Sequence, residues 1–173
     1  MTDQQWGFTF HEAACVQCHA CEAACKAWRG VEAGVKWRWV SNIWHGQYPD
    51  LKSSGITVVC QHCAEPACIS ACPAGAIQKR DTDGIVLVHS EQCIGCQACL
   101  AACPFGVPQF DSKGIMQKCD LCVNERLADC NVQEITVPPC VASCPTGAIG
   151  LRLMASAEKE ATEARLEKAL RQD

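Results

Sequence analysis

Apolar and polar residues alternate just ahead of two cysteine-rich stretches. GFTFHEAAC (Gly7–Cys15) and VLVHSEQC (Val86–Cys93) align on His11 and His89, and their period of two predicts a short strand in each. GITVVC (Gly55–Cys60) and GIMQKC (Gly114–Cys119) occupy the same place before two further cysteine stretches. Behind three of the stretches come CPAGAIQ (Cys72–Gln78), CPFGVPQF (Cys103–Phe110) and CPTGAIGL (Cys144–Leu151). There Pro and Gly predict a turn, and the short apolar run predicts a return strand. HACEAACKAW and QACLAACPF carry enough Ala for short helical turns. The predicted unit is strand, cysteine loop, helical turn, Pro-Gly turn, strand. It occurs four times, and four copies make two antiparallel pairs.

Three stretches fall outside this pattern. Trp28–Gly55 is a linker holding four of the five tryptophans, and Val123–Pro139 is an insertion. Met154–Asp173 predicts a C-terminal helix with a candidate N-cap at Ser156. Its apolar face, Ala157, Ala161, Ala164 and Leu170, is thin, so a mostly solvated tail is expected.

Composition sharpens the picture. Of 173 residues 17 are Cys, while only 4 are Phe, 1 Tyr and 3 Met, so hydrocarbon alone cannot build a large core. A net charge of −4 and the absence of a basic stripe argue against nucleic acid as partner. The first residues show no basic and apolar leader and no twin arginine, and no apolar run approaches the roughly 20 residues of a bilayer span. The expectation is a soluble, cytoplasmic protein without a membrane span, whose cysteines bind metal. An odd cysteine count also leaves one thiol unpaired in any disulfide scheme.

Sixteen cysteines fall into four quartets. Cys15, Cys18, Cys21, Cys25 and Cys93, Cys96, Cys99, Cys103 share the spacing C-x2-C-x2-C-x3-C. Cys60, Cys63, Cys68, Cys72 and Cys119, Cys122, Cys140, Cys144 lengthen the second gap. Proline follows the fourth cysteine in three quartets. This is the run in which three thiolates of one loop hold one [4Fe–4S] cluster and the fourth ligates another, so four quartets imply four clusters. Zinc is the competing occupant, and the fourth quartet alone has a spacing that suits it. Cys130 is left over and reads as a non-ligand. His11, His19, His62 and His89 lie near the quartets and read as hydrogen-bonding or surface residues.

Quartets two and three are joined by a short span whose DTDG reads as a hairpin turn. They are expected to pair, which leaves one and four to pair across the chain. The ligand sets are then Cys60, Cys63, Cys68 with Cys103; Cys93, Cys96, Cys99 with Cys72; Cys15, Cys18, Cys21 with Cys144; and Cys119, Cys122, Cys140 with Cys25. Pairing of one with two and three with four is the alternative.

The strings WGFTFHEAACVQCHACEAACK, QHCAEPACISACPAGAI and QKCDLCVNE…PPCVASCPTGAI resemble the four-cluster iron–sulfur beta subunits of the dimethyl-sulfoxide-reductase type, over roughly Gln5–Leu151. The resemblance implies an α+β fold of two interleaved bacterial-ferredoxin-like modules with short antiparallel strand pairs and short helices, plus the C-terminal helix. Residues 1–54 and 111–153 form the two halves of an outer module, 55–110 the inner module, and 154–173 the helix. It further implies a non-catalytic subunit of anaerobic metabolism, carrying electrons between a molybdenum- or tungsten-pterin catalytic subunit and a second redox subunit or carrier, such as a flavin-containing one. The short chain is also similar to small subunits of cytoplasmic formate dehydrogenase, hydrogenase-linked and tungsten aldehyde oxidoreductase complexes. A free polyferredoxin and a purely structural module are the competing classes. Trp37, Trp39 and Trp44 read either as an interface or as a cover for the clusters. No Ser/His/Asp set, phosphate loop or G-x-G-x-x-G accompanies the cysteines, so no catalytic residue is assigned.

Overall fold

The computed structural model of the chain describes residues 4–123 and 137–171. The fold is α+β, with four antiparallel two-stranded ladders among the described residues. β1 (Gln4–Phe10), ahead of the first quartet, pairs with β8 (Ile149–Ala155), behind the fourth, and sets Phe8 opposite Leu151. β4 (Ile77–Lys79), behind the second quartet, pairs with β5 (Val86–Val88), ahead of the third. These are the two pairs that the repeat predicts.

The other two ladders exceed that expectation. β2 (Arg38–His45) arises inside the Trp-rich linker and pairs along its whole length with β3 (Lys52–Val59), ahead of the second quartet. A strand with one row of backbone groups unpaired needs a partner, and the linker, rich in Val, Ile and Trp, supplies it. β6 (Gln109–Phe110) and β7 (Met116–Gln117) close a local hairpin around Asp111–Gly114. Asp111 organises that turn by accepting the N–H groups of Lys113 and Ile115.

Helices follow the cysteine loops. α1 (Ala20–Arg29) carries Cys21 and Cys25, α2 (Ala67–Ser70) Cys68, α3 (Ala98–Ala102) Cys99, and α4 (Pro139–Ala142) Cys140. α1 packs on α4 and α2 on α3, so helices of the first and fourth quartets meet, as do those of the second and third. After three of them the chain turns at Gly75, Gly106 and Gly147, all at positive φ near 60°. Each glycine N–H donates to the carbonyl of the fourth cysteine at 3.2–3.3 Å.

α5 (Ser156–Leu170) departs from the sequence expectation. It leaves β8 directly, so Ala155 is at the N-cap and Ser156 is already helical. It is also docked. Lys159 is buried and donates from Nζ to the Trp6 carbonyl at 3.2 Å, and Glu163 accepts the Ala64 N–H at 3.1 Å. Leu166, Ala169 and Leu170 pack on the core. The buried stripe thus begins with two charged residues, which a search for apolar periodicity passes over.

The tryptophans divide. Trp37 and Trp39 are half-buried against the core, and Trp37 Nε1 donates to Gln117 Oε1 at 2.8 Å. Trp28 and Trp44 are exposed. The turn between β4 and β5 touches β1: the Trp6 N–H donates to the Asp83 carbonyl at 3.0 Å, which ties this hairpin to the first strand.

Candidate metal-cluster sites

Each cysteine loop is wound by the same backbone device. Gln17, His62, Gly95 and Leu121, each two residues beyond the first cysteine of a quartet, have φ of 56°, 49°, 69° and 57°. Only one of the four is glycine, and left-handed backbone costs other residues about 1–2 kcal/mol each. The conformation turns an N–H back onto sulfur: His62 donates to Cys60 Sγ at 3.5 Å and Leu121 to Cys119 Sγ at 3.4 Å. Strain of this kind gathers at functional sites. The sequence carries only one hint of it, Gly95.

The third and fourth cysteines of a quartet stand about one helical turn apart, so they can reach two neighbouring cages. Cys15, Cys18, Cys21 and Cys144 line one small cavity, with Phe10, Ala148 and Ile149 in its walls. Cys72, Cys93, Cys96 and Cys99 line a second of the same size, with Val88, Ala76 and Ile77 at the equivalent places. The Met116 N–H donates to Cys93 Sγ at 3.4 Å.

The remaining thiols gather in two groups that show in their electrostatics. Cys63 is pushed up by burial, then by Glu163 and by its neighbours Cys60, Cys103 and Cys68. Burial raises Cys122 to about 12, with Asp120, Cys140 and Cys25 adding to it against Arg29. Burial and then Cys140 lift Cys25 to about 11, and Cys119 goes well above its ordinary value for the same two reasons. Every quartet thus sends its fourth cysteine to a different quartet. Cys130 lies outside the described residues.

Electrostatic influence between groups indicates their order. Cys21 feels Cys140, Cys119 feels Cys60, and Cys68 feels Cys99. The series runs from the Cys15 group through the Cys119 group and the Cys60 group to the Cys93 group. At its two ends Cys18 and Cys96 are exposed, beside exposed Val16 and Ile94.

The donor chemistry fits iron–sulfur clusters. Buried thiols crowded together resist ionising, and a metal that replaces their protons relieves both the burial and the mutual repulsion. Two fourth cysteines are also cradled by backbone. Burial raises Cys103 while the N–H groups of Val107, Phe105 and Gly106 oppose it. At Cys144 the balance tips: burial raises it, but N–H groups of Ile149, Thr146 and Ala148 with the Thr146 hydroxyl hold it below the ordinary thiol value. Among the described residues no three His, Cys, Asp or Glu side chains converge on a single-ion site. The four thiols of each cavity face a shared space instead. His62 is buried and accepts the Val86 N–H at Nδ1, whereas His19 and His89 face Glu22 and Glu91 near the surface.

Residues 54–153 match the family model described as a 4Fe-4S dicluster domain, and residues 12–28 match a 4Fe-4S binding domain. The B subunit of the anaerobic dimethyl sulfoxide reductase of Escherichia coli (strain K12) is 37% identical over 157 residues, covering 84% of this chain and 72% of that one. The formate dehydrogenase iron-sulfur subunit of Wolinella succinogenes is 36% identical, covering 82% and 78%. A thiosulfate reductase electron transfer subunit of Salmonella typhi is 38% identical, covering 84% and 74%.

Proposed function

We propose, from the premise that this chain belongs to the 4Fe-4S dicluster family of iron–sulfur electron-transfer subunits, that it passes electrons singly along four clusters between a molybdenum- or tungsten-pterin catalytic subunit and a second redox partner. The chain is an electron-transfer subunit of an oxidoreductase and not the catalytic one. It binds [4Fe–4S] clusters. Their number and ligands are our reading: Cys15, Cys18, Cys21 with Cys144; Cys119, Cys122, Cys140 with Cys25; Cys60, Cys63, Cys68 with Cys103; and Cys93, Cys96, Cys99 with Cys72.

The observation that carries this reading is the series of four thiol groups in which, among the described residues, the exposed cysteines lie only at its ends. A cluster held by four thiolates takes up and releases one electron, and it offers no open coordination position to a substrate. The protein surrounds the inner groups with buried side chains and presents Cys18 and Cys96 at the surface, where partners can approach. Burial and N–H donors to sulfur tune the potentials. The relatives are named for dimethyl sulfoxide, formate and thiosulfate, which supports assigning the substrate to the partner.

The test is iron analysis with a reductive titration followed by EPR on the chain purified with its natural partners. Iron equal in number to the sixteen quartet cysteines and four centres changing spin state are expected. Fewer centres would refute the count. A functional chain that elutes alone on size exclusion would refute the subunit assignment.

A further inference from the structure

Arg38 opens β2 and is 1% exposed. Its Nη1 donates to Thr57 Oγ1 at 2.6 Å, and its Cζ stands 4.3 Å over the Phe8 ring. Among the described residues its Nε and Nη2 are buried with no hydrogen-bond partner. An isolated guanidinium in the interior is costly unless a neighbouring charge compensates it.

The neighbours are sulfur. β2 packs on α1, which carries Cys21 and Cys25, and the Arg38 charge reaches Cys21, Cys25 and Cys119. Cys21 belongs to the first thiol group of the series, and Cys25 and Cys119 belong to the second. Thr57 connects the guanidinium to the first group. It lines the cavity of Cys15, Cys18, Cys21 and Cys144, so its hydroxyl stands beside that group. Because the Thr57 oxygen accepts from Arg38, its one proton remains free to be donated toward the sulfur that this cavity would hold.

We propose that Arg38 sets the reduction potential of the first two clusters of the series, acting on the second directly and on the first through Thr57. This rests on the four-cluster reading above. Arg38 favours the reduced form because four thiolates leave a cluster anionic in either state. Each electron arriving from the redox partner adds negative charge, with no bond made or broken. A fixed cation in a medium of low dielectric therefore stabilises the reduced state more than the oxidised one. Charge-assisted hydrogen bonding to the thiolates works in the same direction.

The experiment is a potentiometric titration of the full, cluster-loaded chain monitored by EPR, with iron analysis of every variant. Arg38→Met is expected to lower the reduction equilibrium constant of two centres about tenfold, which is about 59 mV for a one-electron couple. The other two centres should stay in place. Arg38→Lys should recover most of the shift, because it keeps the charge. Thr57→Val should move only the centre held by Cys15, Cys18, Cys21 and Cys144. Four unmoved potentials in Arg38→Met at full iron content would overturn the proposal, as would an equal shift of all four. If Arg38→Met loses iron, Thr57→Val decides: one shifted centre supports the relay, and none overturns it. Wild-type protein with fewer than four centres is a separate result, which strikes the four-cluster reading itself.

Discussion

Arg29 Nη2 donates to Asp120 Oδ2 at 2.6 Å, joining the end of α1 to the loop of the fourth quartet. The two residues flank Cys25 and Cys122, which share one thiol group. Arg29 also lies 4.9 Å over the Trp37 ring, and Trp37 in turn holds Gln117. One guanidinium therefore connects the first quartet, the linker and the strand that leads into the fourth.

Arg29→Met and Asp120→Asn are each expected to lower stability by about 1.5–3 kcal/mol, the range of a hydrogen bond between charged groups. The double variant should lose less than the sum, since both singles break the same contact. Thermal unfolding of the cluster-loaded chain gives all three values. Strictly additive losses would show that the pair contributes nothing as a pair.

Cys103→Ser tests whether the fourth cysteine of a quartet serves its own loop or another. Cys103 acts electrostatically on Cys63 and Cys68, whereas Cys96 lines the cavity with Cys72, Cys93 and Cys99. The two variants, Cys103→Ser and Cys96→Ser, are therefore expected to perturb different EPR centres although they alter the same loop. Loss of one and the same centre in both would restore a quartet that serves a single cluster.

Gly84→Ala tests the join between the β4–β5 turn and β1. Gly84 sits at φ +71°, and an added Cβ would lie 2.3 Å from the Gln5 Cβ on β1. Left-handed strain and overpacking together should cost about 2–5 kcal/mol. The β4–β5 turn would be pushed from β1, with faster amide exchange at Trp6. Unchanged exchange at that N–H would show that the turn can give way without loosening the strand.

Removal of iron by a chelator is expected to unfold the chain, because its core is small and its thiols are buried. Any residual apo structure should weaken with alkali. Burial first of all raises Cys25 and Cys68 to about 11 and Cys122 to about 12 in the folded chain, above the ordinary 9.0. A raised thiol pKa stabilises the fold fully below the unfolded value, and that contribution is lost as pH rises from about 9 through 11–12. Circular dichroism of the stripped chain across this range checks it. Structure that grows firmer toward pH 11 would reverse the sign.

The repeat, the strands flanking the quartets and the Pro-Gly turns were legible in the sequence because each is a local pattern. Alternation at Phe8 and Phe10, the Ala-rich turn at Cys21–Cys25 and the glycine at Gly147 declare themselves within a few residues. β2 was missed because its pairing with β3 answers an unpaired edge and not its own periodicity. α5 was misjudged because Lys159 and Glu163, polar on paper, face inward where Trp6 and Ala64 offer them backbone partners. The left-handed residues Gln17, His62 and Leu121 carry no sequence mark, since the loop imposes their conformation.

By itself the sequence determined the number and spacing of the thiols, and with them an electron-carrying chemistry, because spacing along one loop decides which sulfurs can face a common centre. The pairing of quartets already pointed Cys144 to Cys15, whereas tertiary structure alone decided the order of the four thiol groups and the burial of Arg38 against Thr57, beside the first of them. Those relationships join residues from distant parts of the chain. They depend on which strands close onto each other, and no local pattern encodes that.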